Sequence, residues 1–522
     1  MSDTNEPAAP ERRRRSGGRQ RTRDRADRNL PQLPFRQPKR HFAPTAVVSD
    51  DELEAIHDAS LRVLRDVGID VLEPDARRLL AAAGADVDPD SERVRFDPDM
   101  VVETIRTCPS EFTLHSWNDD HAVRIGGDNV AFTAVASPPN VSDAAGGRRT
   151  GNREDFQNLV RLSQHFNAIH MNAGYPVEPA DIHASVRHLH ATHDLLTLTD
   201  KAVNVYSLGR ERNQDCLEMI RIARQVSDED LDTQPSAYTI INSSSPLRLD
   251  IPMLQGIMEY SARNQPIVIT PFTLAGAMAP VTVVGAVTQQ NAEALAGMVM
   301  TQVVRAGAPV VYGGFTSNVD MKSGSPAFGT PEYIRSAMLG GQLARRYGVP
   351  YRSSNVNAAN AVDAQAGWES AFSLWGAIMG GANIVFHGAG WLEGGLRASF
   401  EKMVVDVDLL QMMQNFLEPT IVDDGTLALD AIADVGPGGH FFGTQHTQDR
   451  YTNAFYSPLV SDWRNFESWE EAGAPTADQK AAELAATFLG EYSAPTMPEA
   501  ARAELDEFVA RRVEAGGVET DY

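Results

Sequence analysis

From residue 130 onward, apolar and polar positions switch repeatedly between two periods. A short β-type run of mostly apolar residues gives way to a longer run of helical period, and the pair recurs about eight times. The pattern predicts strands over 130–135, 168–172, 202–206, 237–241, 266–270, 309–313, 350–354 and 383–387. It predicts helices over 153–165, 181–198, 211–227, 250–263, 288–306, 330–347, 363–380 and 399–417. Short apolar strands alternating with helices imply parallel pairing with both sheet faces covered. Eight such units match an α/β fold of the closed (β/α)₈ (TIM) barrel type in number and spacing. An open doubly wound sheet is the alternative, but no GxGxxG follows the first strand to favour its dinucleotide-binding form.

The flanks read differently. Ser49 and Glu52 have capping-box spacing, and Leu53, Ile56, Val63 and Leu64 follow with helical period until Gly68. Pro74 and Pro98 read as first-turn prolines of two further helices, with Val94 and Phe96 in a short strand between them. The expected organisation is a disordered basic tail over 1–44, a helical segment over 45–120, the barrel over 121–420 and a C-terminal extension over 421–522 packed on the barrel.

Charge and cysteine content narrow the class. Residues 1–41 hold twelve Arg and Lys against five acids, a surplus of seven that leaves the rest at −31 against −24 for the whole chain. A basic arm on an acidic body reads as a solvated tail, and the body has the wrong sign for nucleic acid as its main ligand. No apolar run approaches 18 residues, and the charged N-terminus lacks a secretory signal's apolar stretch. Two distant cysteines, Cys108 and Cys216, speak against a disulfide framework or a thiolate zinc site, and for a reducing, cytoplasmic setting. No metal site is expected.

In such barrels the chemistry sits where the strands end. Those ends carry no lysine, which counts against Schiff-base chemistry, and no convergent set of histidines and acids. They carry hydroxyls, amides, aromatics, one arginine and one histidine. Tyr206, Phe272, Phe315 and Trp391 offer faces for a quaternary ammonium, each contributing about 0.5–2 kcal/mol by cation–π contact. Arg352 can grip a carboxylate with two parallel hydrogen bonds. Core packing is the plainer reading for each aromatic alone, and a structural ion pair for Arg352. Asn242 and His387 are expected to orient a small ligand by hydrogen bonds. Glu393, beside Trp391, could bind substrate, meet a partner or cap the last helix.

Several blocks resemble one known family. They are Ser245-Pro246-Leu247, the run from Leu274 to Thr282, Gly329-Thr330-Pro331-Glu332-Tyr333, Asp363-Ala364-Gln365-Ala366-Gly367, Gly380 to Asn383, Trp391 to Gly395, and His440 to Trp469. In order and spacing over about residues 45–490 they resemble the corrinoid-dependent trimethylamine methyltransferase family, which has a (β/α)₈ barrel. Members that use trimethylamine carry pyrrolysine a few residues before the DxQAG block. The matching position here is near Val356, within Ser354-Asn355-Val356-Asn357, and holds no special residue. The resemblance therefore implies the branch that demethylates quaternary amines such as glycine betaine. It implies a methyl acceptor, cobalamin, carried by a separate corrinoid protein, because no DxHxxG pattern occurs in this chain.

The physics agrees with that branch. A quaternary nitrogen leaves as a neutral amine, so it needs no covalent capture. Its positive charge vanishes in the transition state, so an anion beside it would stabilise the ground state and slow transfer. A neutral aromatic pocket with the carboxylate held apart by Arg352 suits the reaction better. A sulfonium donor, direct transfer to a folate, and a non-catalytic betaine-binding barrel are the alternatives. A homo-oligomer is expected.

Overall fold

Local signals in the sequence set the first elements. Ser49 caps the helix Asp50–Arg62 reciprocally: its hydroxyl accepts the Glu52 N–H, and the Glu52 carboxylate accepts the Ser49 N–H at 2.8 Å. Pro74 and Pro98 each open a helix, after the N-caps Glu73 and Asp97, and Arg93–Arg95 is a strand between them. The computed structural model describes residues 32–519.

Eight parallel strands close a barrel. Seven are Ala131–Ala134, Val203–Asn204, Ala237–Ile241, Ile267–Ile269, Val310–Gly313, Tyr351–Ser354 and Ile384–Ala389, paired as one sheet. The expected strand at 168–172 shrinks to Met171, which bridges in parallel to Thr133 on one side and Ala202 on the other. That residue joins the two edges of the sheet and decides for the barrel against an open sheet. The contraction has a visible cause in His170. Its Nδ1 accepts the Phe132 N–H at 3.0 Å, so a side chain takes a hydrogen bond that a strand carbonyl would otherwise receive. Nε2 then carries the proton and donates to the Arg36 carbonyl at 3.0 Å.

The covering helices are Arg153–His165, Ala184–Leu198, Arg210–Arg224, Ile251–Ala262, Val283–Val304, Pro331–Tyr347, Ala364–Gly380 and Phe400–Phe416, close to their expected bounds. Inside the barrel, Met171, Tyr238, Val268, Val311, Ile384 and Phe386 pack in one cluster. Leu114, Val123 and Ile125 join them from the hairpin Glu111–Leu114 and Val123–Gly126, which plugs the end where the strands begin. Each such burial contributes roughly 1.5–3 kcal/mol. The barrel is thus solid below and can be hollow only at its C-terminal mouth. None of the helices is long and apolar enough to cross a membrane, among the described residues.

The N-terminal flank differs from expectation. The tail expected over 1–44 lies outside the described residues as far as 31, but 32–44 is laid along the barrel. Arg40 is buried with Nη2 3.1 Å from Asp128, and the Val130 N–H donates to the Pro38 carbonyl at 3.0 Å. Phe35 and Phe42 give this stretch apolar surface to bury, against His121 and Phe416 respectively. At the other end, helices Ala477–Glu491 and Glu499–Glu514 fold back on the barrel. Phe488 stacks on His165 at 4.1 Å, and Arg512 pairs with Asp215 at 2.8 Å.

Candidate functional site

Strand ends converge on a cavity of about 320 Å³ at the C-terminal mouth. Seven of the eight candidate side chains line it: Tyr206, Asn242, Phe272, Phe315, Arg352, His387 and Trp391. Asn242 is exposed at the rim, while the other six are buried or half-buried.

Arg352 comes from the seventh strand and is 2% exposed. Its guanidinium carbon lies 5.2 Å from the Phe315 ring centroid and 4.9 Å from that of Phe386. Nη1 reaches the Gly314 carbonyl at 3.4 Å, and Nε has no partner among the described residues. Among the described residues no carboxylate pairs with it. Burial pushes its pKa down to about 10, so it stays cationic at neutral pH. A charged group this deep normally has an anionic partner, since leaving it unpaired costs several kcal/mol. Within the described residues that anionic partner is missing.

His387 owes its place to the backbone. Side chains alternate along a strand, so Phe386 and His387 should face opposite ways. At φ 53° His387 adopts the left-handed conformation, and the pairing register with the first strand shifts between Val385 and Ala389. Both side chains then line the cavity. Such a conformation costs a non-glycine residue about 1–3 kcal/mol and concentrates at functional sites. Burial, reinforced by Arg352, holds the imidazole pKa well below its ordinary value, so the ring is neutral. Nδ1 has no partner.

The aromatic wall is assembled from short strands beyond the barrel. Phe272–Ala275 and Phe315–Val319 pair in parallel, with Phe272 opposite Phe315 and their rings 5.2 Å apart. Trp391–Leu392 pairs with Arg397–Ser399, which continues the sheet to Asn140–Asp143 and Gly147–Thr150. The Trp391 indole donates to the Asn357 carbonyl at 3.2 Å and lies 4.1 Å from His387 and 6.2 Å from Phe315. Gly395 supports it closely: a Cβ there would stand 2.6 Å from the indole ring. Tyr206 stacks on Tyr175 at 4.5 Å, and its hydroxyl lies 2.8 Å from that of Ser137. Among the described residues no Asp or Glu lines the cavity.

Glu393 is placed elsewhere. Its carboxylate sits 3.0 Å from Arg148 Nε and 3.1 Å from Arg397 Nε, and its N–H donates to the Ala359 carbonyl at 3.0 Å. These bonds anchor the turn after Trp391 and leave the carboxylate outside the cavity.

Other polar groups were not singled out from the sequence. Thr270 lines the cavity with an unpartnered hydroxyl, and the side-chain amides of Asn172 and Asn204 are buried with unpartnered atoms. Most buried polar groups are paired, so the Thr270 hydroxyl is free to bond water or a ligand in the cavity, whereas neither asparagine lines it. The asparagines had a readable signal, an amide within an otherwise apolar strand. Phe386 had none, because an aromatic in a buried strand reads as core.

Comparison with known proteins extends the picture. The chain matches the model of the trimethylamine methyltransferase (MTTB) family over residues 14–517. It is 33% identical over 474 residues to a glycine betaine methyltransferase of Desulfitobacterium hafniense, spanning 91% of this chain and 98% of that protein. A trimethylamine methyltransferase of the same species is 29% identical over 475 residues, spanning 90% and 94%. The crystal structure of the Methanosarcina barkeri monomethylamine methyltransferase aligns with 87% of this chain and 89% of its own, at 13% identity and a TM-score of 0.49, too loose a likeness to argue from.

Proposed function

The chain belongs to the trimethylamine methyltransferase family, and from that premise we propose that it takes a methyl group from a betaine, a quaternary amine bearing a carboxylate. The acceptor in this reading is the cobalt of a corrinoid carried by a separate protein, which makes the corrinoid a second substrate. The observation that carries the reading is Arg352, a buried cation without a carboxylate partner among the described residues, in a cavity otherwise lined by aromatic, aliphatic and neutral polar groups.

The residues divide the work. Arg352 binds the substrate carboxylate, and the flanking Phe315 and Phe386 rings keep its guanidinium plane in position. Tyr206, Phe315 and Trp391 stabilise the trimethylammonium group through their faces. Asn242 and His387 orient the substrate, His387 as a neutral imidazole that adds no charge near the nitrogen. In the transfer the methyl carbon bonds to the acceptor's electron pair, and the C–N pair stays on nitrogen as a neutral amine. Aromatic faces stabilise the cation less strongly than a carboxylate would, so less ground-state stabilisation is lost as the charge disappears. The barrel contributes mainly position and exclusion of water. A corrinoid bound on another protein suits this mouth, which is open at the rim where Asn242 is exposed.

The test is methyl transfer to a reconstituted corrinoid acceptor from a panel of methylated amines and sulfoniums. Methylation of the acceptor by a carboxylated quaternary amine, with none from trimethylamine, is the expected result. Turnover of trimethylamine in preference to every betaine would overturn the reading.

A further inference from the structure

Residues 419–455 leave the end of the last barrel helix and return near Tyr456, whose hydroxyl donates to the Asp408 carbonyl at 3.1 Å. Between those points the segment forms short helices, Asp424–Leu427, Leu429–Val435 and Gln445–Gln448. Its described hydrogen bonds all end within the segment: His446 to the Gly425 carbonyl, Gln448 to the Phe442 carbonyl, Thr426 to the Ile421 carbonyl are examples. None of its apolar side chains joins the core. Yet it is rich in them. Phe442 is 81% exposed and Phe455 87%, and Val422, Leu429 and Tyr451 are exposed alongside. A segment that folds only on itself and turns its large apolar residues outward has a missing cover.

The same chain carries a second uncovered apolar face. On the helix Ala364–Gly380, Trp368, Phe372 and Trp375 recur at helical spacing on one exposed side. Phe416 of the neighbouring helix extends the strip, its ring 5.4 Å from that of Trp375, and Met412 is exposed one turn earlier. The arm starts beside this strip but does not cover it. Residues 1–31 are a poor cover, since they contain no aromatic residue and are dominated by arginine.

We infer that the 419–455 arm of one copy packs on the Trp368–Phe372–Trp375–Phe416 face of a second copy, and that the contact is reciprocal. Two apolar surfaces in one chain, each lacking its complement, satisfy each other in an isologous pair. With roughly 100 Å² hidden per large side chain on both surfaces, a two-fold exchange buries on the order of 2,000 Å², at the lower end of obligate dimer interfaces. The strip lies on the outer flank of the barrel helices, so the mouth stays free for a substrate and a methyl acceptor. The inference does not depend on the chemistry proposed for the cavity.

The experiment uses the full chain at micromolar concentration in analytical ultracentrifugation. One variant carries Phe442→Asp with Phe455→Asp on the arm, and another Trp368→Glu with Phe372→Glu on the flank. Wild type should sediment as a dimer or a multiple of it, and each variant alone should fall to monomer with its circular dichroism unchanged. An equimolar mixture of the two should regain dimer, because one intact arm then meets one intact flank. A monomeric wild type, variants that keep the wild-type mass, or a mixture that stays monomeric would each overturn the exchange.

Discussion

The Arg352 guanidinium carbon lies 4.9 Å from the centre of the Phe386 ring, and both side chains line the same cavity. An arginine stacked on an aromatic face keeps its fork of donors in one plane, ready for a planar anion. Here no protein carboxylate uses that fork among the described residues.

Arg352→Ala should therefore weaken glycine betaine binding by about 10- to 100-fold, the worth of charge-assisted hydrogen bonds at roughly 1.5–3 kcal/mol. Choline, which has the ammonium group without the carboxylate, should bind the variant about as well as it binds wild type. Arg352→Lys should recover little, because an ammonium is a point charge without the planar fork. Titration calorimetry with both ligands checks this. Equal losses for betaine and choline would point to a collapsed site and remove the carboxylate assignment.

The Trp391 face makes a different prediction. Trp391→Leu keeps an apolar wall but removes the π-surface, about 0.5–2 kcal/mol of cation attraction. Betaine should lose roughly 3- to 30-fold in affinity, whereas 3,3-dimethylbutyrate, the isostere with an uncharged carbon in place of the nitrogen, should change little. Gly395→Ala should act in the same direction, since its Cβ would meet the indole at 2.6 Å. A variant that weakens both ligands alike would show that the indole only fills space.

His387 gives a pH prediction. Its folded-state pKa lies well below the ordinary histidine value, from burial first and Arg352 second. Its imidazole is thus neutral on both sides of pH 6.5, and kcat/KM between pH 6 and 8 should show no acid limb attributable to it. Comparing the profiles of wild type and His387→Gln tests this. An acid limb near 6.5 that vanishes in the variant would mean that the ring ionises during turnover.

Much of this was legible before the structure. The eight strand-helix pairs could be read because parallel strands covered on both faces are continuous apolar runs, distinct in period from the helices. Seven of the eight candidate residues share one cavity because strand ends in a closed barrel must converge. Glu393 went astray for a local reason: it lies two residues beyond a lining tryptophan, and nothing in the sequence announces that Arg148, from a distant hairpin, holds it. The brevity of the second strand was equally hidden. It depends on a single imidazole standing in for a carbonyl, a tertiary contact that no periodicity records.

That imidazole supplies the last prediction. His170 is wholly buried, accepts the Phe132 N–H through Nδ1 and donates through Nε2, so a second proton has no place. Burial lowers its pKa to about 4, from an ordinary 6.5. The unfolded chain takes up a proton near 6.5 but the folded one only near 4, so between these values the unfolded state binds more protons. Stability contributed by the neutral ring is complete above about pH 6.5 and is lost as pH falls towards 4, in total about 3 kcal/mol. The lowered pKa values of His57 and His165 act in the same sense. His170→Asn places an acceptor near the Nδ1 position without an ionisable group. It should be less stable than wild type at pH 7.5, having lost the bond to Arg36, and the gap should narrow or reverse by pH 5. Urea unfolding at the two pH values measures the difference, and a gap that does not change with pH would mean that His170 titrates normally in the folded protein.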